Sequence, residues 1–200
     1  MKVRVNKEKL DKLSPEDALP LIIKIRRFIL GKKKPDGFTR LIFTINIFSW
    51  FLLMIWNLIS YVAIQLSDLI KENKGFSVNA IIRKNGRDLG FEGQDFLEVI
   101  NTYLFANIFI WIVIFIGLAL LYRKLKIYPV LLLGGLSLHF LLMFFMLGLQ
   151  YFIESVSFFD KILYAILILT TMIHSASMKK EQTDPLNKSS ESDSVDIVNQ

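Results

Sequence analysis

Cysteine is absent from the 200 residues, which excludes disulfides, iron–sulfur ligation and thiol catalysis together. Proline and glycine are scarce, at 5 and 10 residues. Charge is missing from long stretches of the chain, and that absence decides the class. Residues 41–66, 99–122 and 127–153 carry no Asp, Glu, Lys or Arg; each exceeds the roughly 18 residues that mark a membrane-span candidate. A fourth uncharged run, 162–178, becomes long enough if residues 157–159 join it and Asp160 and Lys161 snorkel at the interface. Apolar residues make up 53% of the chain, with 17 Phe and a mean hydropathy of +0.45. Disordered chains and soluble enzymes are excluded by this pattern. A soluble helical bundle fits poorly as well, because its helices keep a polar face and these runs are apolar all round.

The reading is therefore an all-α membrane protein with four transmembrane helices in a bundle. The spans are expected at residues 41–66, 99–122, 127–150 and 158–178. Between them fall a loop at 67–98, a short turn at 123–126 and a second turn at 151–157. Residues 1–40 hold 12 basic and 5 acidic side chains, the 67–98 loop 5 basic and 6 acidic, and the 123–126 turn three bases and no acid. Glu154 and Asp160 outweigh Lys161 in the next turn, and Lys179-Lys180 follow the last span. Positive segments alternate with neutral or acidic ones, so the positive-inside rule puts both termini in the cytoplasm. The basic arm is too long before the first apolar run for a cleavable signal peptide. Richness in Ile, Lys, Phe and Asn points to an AT-rich bacterial genome, and hence to a bacterial inner membrane.

Outside the spans, Ser14-Pro15-Glu16-Asp17 reads as a helix start. From there to Gly31, Leu21, Ile22, Ile25, Phe28 and Ile29 share one face. An amphipathic helix over 15–31 is expected to lie on the membrane surface, with Lys24, Arg26, Arg27, Lys32, Lys33 and Lys34 as contacts to anionic lipid headgroups. The alternative is that these bases only set topology. One Phe and no reader motif argue against nucleic acid. In the 67–98 loop, β-prone residues 76–83, the Asn85-Gly86 turn signal and residues 87–91 predict a small β-hairpin. This loop is either a contact surface or an ordinary connector. Residues 179–200 read as a disordered cytoplasmic tail.

Intramembrane polar groups are the best functional pointers in such a chain. Asn46, Ser49, Asn57 and Ser60 fall within about 80° of one another on the first span. Counting about 1.5 Å per residue from the inner end of each span puts Asn57 about 24 Å up, Asn107 about 22 Å and His139 about 18 Å. Asn46 and His174 sit lower, at about 8 and 6 Å. Two layers result, one of Asn57, Asn107 and His139 and one pairing Asn46 with His174. Each is either a polar path or ligand site, or a set of interhelical hydrogen bonds that fix the bundle. Gly134-Gly135 with Ser137 would allow close helix approach. Two histidines about 12 Å apart in depth cannot complete a metal shell.

No His-Glu-x-x-His, Gly-x-Ser-x-Gly or phosphate-cradling glycine loop occurs. No catalytic, cofactor or metal residue is therefore assigned, and no cofactor is expected. The first functional expectation is a non-catalytic structural or accessory subunit, working through helix and loop contacts with a protein partner or a second copy. The alternative is a small transporter or channel-like protein using Asn57, Asn107 and His139. A third is a lipid-modifying enzyme with Glu154 and Asp160 as an acid/base pair, against the plainer reading of both as solvated turn residues.

Overall fold

The computed structural model describes residues 29–31, 34–91 and 93–183. Among them every regular element is helical. In chain order these are α1 (Gly37–Gln65), α2 (Ser67–Lys74), α3 (Val78–Asp88), α4 (Gly93–Tyr122), α5 (Tyr128–Glu154) and α6 (Phe158–Thr183). Four of them are long and apolar enough to cross a membrane: Gly37–Gln65, Asp95–Tyr122, Tyr128–Glu154 and Phe158–Lys179. The chain is a multi-pass, all-α membrane protein built as a four-helix bundle. Helix α4 packs against both α1 and α5, and α6 packs mainly on α1.

The starts and stops follow from local chemistry. Asp36 caps α1, its carboxylate accepting from the Thr39 amide (3.1 Å) and the Thr39 hydroxyl (2.7 Å). Helix α4 ends in a paired motif, the Leu125 amide donating to Leu120 O and the Lys124 amide to Leu121 O. Lys124 occupies the left-handed position there (φ 54°), where glycine is usual. Pro129 then opens α5, where its missing N–H costs nothing. Gly31, the expected stop of the surface helix, is left-handed (φ 80°) after helical Ile29 and Leu30. The rest of the expected surface helix, with Lys24, Arg26, Arg27, Lys32 and Lys33, lies outside the described residues; of the expected tail, residues 179–183 instead continue α6, and those beyond 183 lie outside the described residues.

The expected β-hairpin is not formed: residues 67–74 and 78–88 are helices. The Ser77 hydroxyl caps α3 by accepting from the Ala80 amide, and the Ser67 hydroxyl accepts from the Asn79 amide. Val78, Ile82, Gly86 and Leu89 recur at helical spacing, and Ile82 and Leu89 pack on the apolar cluster of α4 and α5. Gly86 is not a turn residue; a Cβ there would meet Phe96 at 2.5 Å. Burying one helical face against α4 outweighs the β preference of Val and Ile, since a lone hairpin would leave its edges open.

Two apolar clusters stack along the bundle. At the near end, where α1 begins and α4 meets α5, Trp111, Ile114, Leu118, Leu121, Leu132 and Leu167 are fully buried. At the far end, beneath α3, lie Phe96, Tyr103, Leu104, Met143 and Leu147. Helix α5 runs past 150 to Glu154, but Gly148 breaks it with φ 81° and ψ 163°.

The near end is fastened by an ion pair between Lys124 and Asp36. Partial burial pushes the Asp36 carboxyl up, but hydrogen bonds from Lys124 and Thr39, with the Lys124 charge, outweigh this and hold it well below the usual carboxylate range. A carboxyl depressed on folding stabilises fully above its unfolded value, and that contribution is lost as pH falls through the folded one. Asp36→Asn is therefore expected to lower the melting temperature at about pH 7, and the gap to wild type should narrow as pH falls from about 4 to about 2. Because Asp36 is 43% exposed, solvent screening keeps the pair within about 1 kcal/mol. A gap that stays the same across that fall in pH would contradict this account.

Candidate functional site

Where the two apolar clusters meet, the bundle turns polar. Asn107 lies between Leu104 and Trp111 on α4, His139 between Leu136 and Met143 on α5, and Asn57 between Leu53 and Ile64 on α1. His139 is 1% exposed, and both its ring nitrogens are engaged. Nδ1 is 2.7 Å from Asn107 Oδ1, and Nε2 is 2.9 Å from the Tyr164 hydroxyl. The amide oxygen only accepts, so the proton sits on Nδ1 and Nε2 accepts from Tyr164. The rings of Tyr103, Trp111, Phe140 and Tyr164 surround the imidazole with centroids 5.1–6.2 Å away. One hydrogen-bonded chain thus ties α4, α5 and α6 together.

The lower pair is rearranged. Asn46 accepts from Thr170 (2.5 Å) rather than pairing with His174, which lies one turn further along α6. His174 instead hydrogen-bonds with the Thr39 hydroxyl through Nε2 (2.9 Å) and the Tyr128 hydroxyl through Nδ1 (2.5 Å). Tyr128 opens α5 at the same depth and reaches the ring first. The aligned stripe on α1 is distributed between tasks. Asn46, Ser49 and Asn57 are buried, the Ser49 hydroxyl donates back to Ile45 O, and Ser60 lines a pocket.

That pocket, of about 370 Å³, opens among α1, α3, α4, α5 and the start of α6 in the far half of the bundle. Asn57 and Asn107 line it together, with Tyr103, Trp111, Tyr151 and Tyr164. His139 stands behind that wall, hydrogen-bonded to two of its members. Two polar atoms on the wall residues, Asn57 Oδ1 and Trp111 Nε1, are buried without a hydrogen-bond partner. An unpaired buried polar group costs about 1–3 kcal/mol, and the two are balanced, one an acceptor and one a donor. Asn46 Nδ2 and Thr171 Oγ1 are likewise unpartnered lower in the spans.

The two acids near the α5–α6 turn separate. Glu154 is exposed and accepts from Gln150 (3.0 Å). Asp160 lines the pocket. Among the described residues no three His, Cys, Asp or Glu side chains group as metal ligands. Of the expected headgroup contacts, Lys34 is described. It is exposed and lines a crevice of about 390 Å³ with Arg123 and Lys124 at the near end.

Sequence reasoning missed Tyr103, Tyr128, Tyr164 and Trp111 as site members, because hydropathy counts them as apolar. A buried Tyr hydroxyl or Trp N–H needs a partner, and that rule is the signal that would have found them. The arrangement defines a four-span helical membrane protein with an aromatic-walled interior pocket. Compared with known proteins, the chain matches no protein family, and no curated protein or solved structure matches it.

Proposed function

We propose that this chain binds a small, largely apolar molecule within the bundle, as a small transporter or channel-like protein of the bacterial inner membrane with both termini cytoplasmic. One observation carries the reading: a 370 Å³ pocket whose walls include a buried acceptor and a buried donor that the protein leaves unpaired. Pockets of this size lined mainly by apolar and aromatic side chains, with a few polar groups, suit small ligands. The bases Lys34, Arg123 and Lys124 at the near end, against Glu154 at the far end of α5 and Asp160 just beyond it, support the orientation and a contact with anionic headgroups.

Native mass spectrometry of gently extracted protein tests the binding. Wild type is expected to carry a small-molecule adduct that Asn57→Leu loses. Once the adduct is stripped, the variant should melt no lower than ligand-free wild type, because removing an unpaired buried acceptor does not destabilise. Bare wild type, or a variant that melts several degrees lower, would count against a ligand site.

A second reading, a non-catalytic structural or accessory subunit with a protein partner or second copy, is favoured by a different observation. Both histidines in the spans have both ring nitrogens occupied by neighbouring helices, so they are spent on holding the bundle together. Quantitative mass spectrometry after mild-detergent pull-down separates the two readings: a reproducible partner supports the second, and recovery of the chain alone counts against it.

A further inference from the structure

We infer that the occupant of the interior pocket is an organic cation, such as a substituted ammonium ion, held by the Asp160 carboxylate and the aromatic walls. This rests on the pocket being a ligand site, and it adds the charge of the ligand. The lining includes one ionisable carboxylate, Asp160, and no Lys, Arg or His. The aromatic lining is unusually rich in the rings that bind cations best: Trp56, Trp111, Tyr103, Tyr151 and Tyr164. Ring faces are negative, and a cation over Trp or Tyr gains about 0.5–2 kcal/mol, the larger values applying where water is excluded.

Asp160 is half-buried in the first turn of α6, where the Ser157 hydroxyl accepts from its amide (3.1 Å). Its carboxylate makes no hydrogen bond or ion pair among the described residues. The adjacent Lys161, the obvious counter-ion, is turned away: its ammonium donates to Ile153 O (2.8 Å) and sits 5.3 Å from the centroid of the Phe152 ring. An acid at the membrane edge that lines a pocket, lacks a partner and is passed over by its neighbouring lysine is one whose counter-charge comes from elsewhere.

Three probes of matched shape test the inference on the full chain in lipid nanodiscs: benzyltrimethylammonium, its neutral isostere neopentylbenzene, and the anion phenylmethanesulfonate. Binding is read by calorimetry and by the fluorescence of Trp56 and Trp111. The cation is expected to bind at least tenfold more tightly than the neutral isostere, and the anion not at all. Asp160→Asn should abolish that preference while leaving the neutral probe and the melting temperature unchanged. Trp56→Leu, which keeps the carboxylate, should weaken the cation several-fold more than the neutral probe. If the neutral isostere binds as well as the cation, or if Asp160→Asn keeps the preference, the cation inference is overturned and the ligand site stands. If none of the three binds, both fall.

Discussion

Replacing His139 with alanine is expected to lower the melting temperature of the detergent-solubilised protein by roughly 6–12 °C, at about 2–4 °C per kcal/mol for a chain of this size. The imidazole is the middle member of a chain from Asn107 to Tyr164, so its loss strands an acceptor on α4 and a hydroxyl on α6. Single interhelical hydrogen bonds in membranes average only about 0.6 kcal/mol. Truncation does more, because buried partners are left unpaired and a ring-sized void opens among Tyr103, Trp111 and Phe140. About 3 kcal/mol is the combined expectation. Tyr164→Phe, which removes one hydroxyl and no volume, should cost about 1 kcal/mol or less. Thermal scanning of the two variants beside Asn57→Leu is decisive. If His139→Ala melts with wild type, the layer does not fasten the bundle.

Substitution of Gly117 or Gly135 by leucine is expected to prevent accumulation of folded protein. The two glycines face each other's helices reciprocally. A Cβ at Gly117 would meet Leu132 Cγ at 2.9 Å and its backbone N at 3.1 Å, and one at Gly135 would meet Ile114 Cγ1 at 2.7 Å. Ile114 and Leu132 are wholly buried, so neither has room to retreat. Even alanine should cost about 1–3 kcal/mol from overpacking, less the roughly 1 kcal/mol of helix propensity it gains. Gly134 supplies the control. Nothing lies within 4 Å of a Cβ there, so Gly134→Ala should leave the melting temperature unchanged or raise it. Size-exclusion profiles of the leucine variants and melting curves of the alanine variants check this, and a monodisperse Gly135→Leu peak at wild-type yield would refute the close approach.

How much of this was legible in the sequence depends on which force decides each feature. The four long helices are written in uncharged runs, because hydrocarbon leaves a peptide group no partner but its own helix. Loop structure was not legible: Val78, Ile81 and Ile82 look like strand residues locally, and only the apolar face offered by Phe96 and its neighbours makes them helical, with Ile82 packed and Ile81 exposed. Depth counting along straight helices brought Asn107 to His139, since both lie mid-span, where small errors in the helix ends matter little. The same counting paired Asn46 with His174, where the competing hydroxyls of Thr39, Thr170 and Tyr128 take the bonds instead. Asp160 was read as a solvated or snorkelling residue, because nothing in one dimension shows that α6 turns it toward Tyr151 and Tyr164. The pocket itself is a gap between helices and has no sequence signature.

Beyond the glycine contacts of α4 with α5, apolar packing does little to fix how far each helix sits along its axis, since one leucine-lined turn resembles the next. The imidazoles fix that position. His174 holds α6 to α1 and α5 through Thr39 and Tyr128. His139 holds α5 to α4 and α6 through Asn107 and Tyr164. A slip of one turn, about 5.4 Å, would tear both bonds at a histidine together. Axial register in this bundle is thus set by two small polar rings, one mid-span and one at the near end, together with the glycine contacts between α4 and α5.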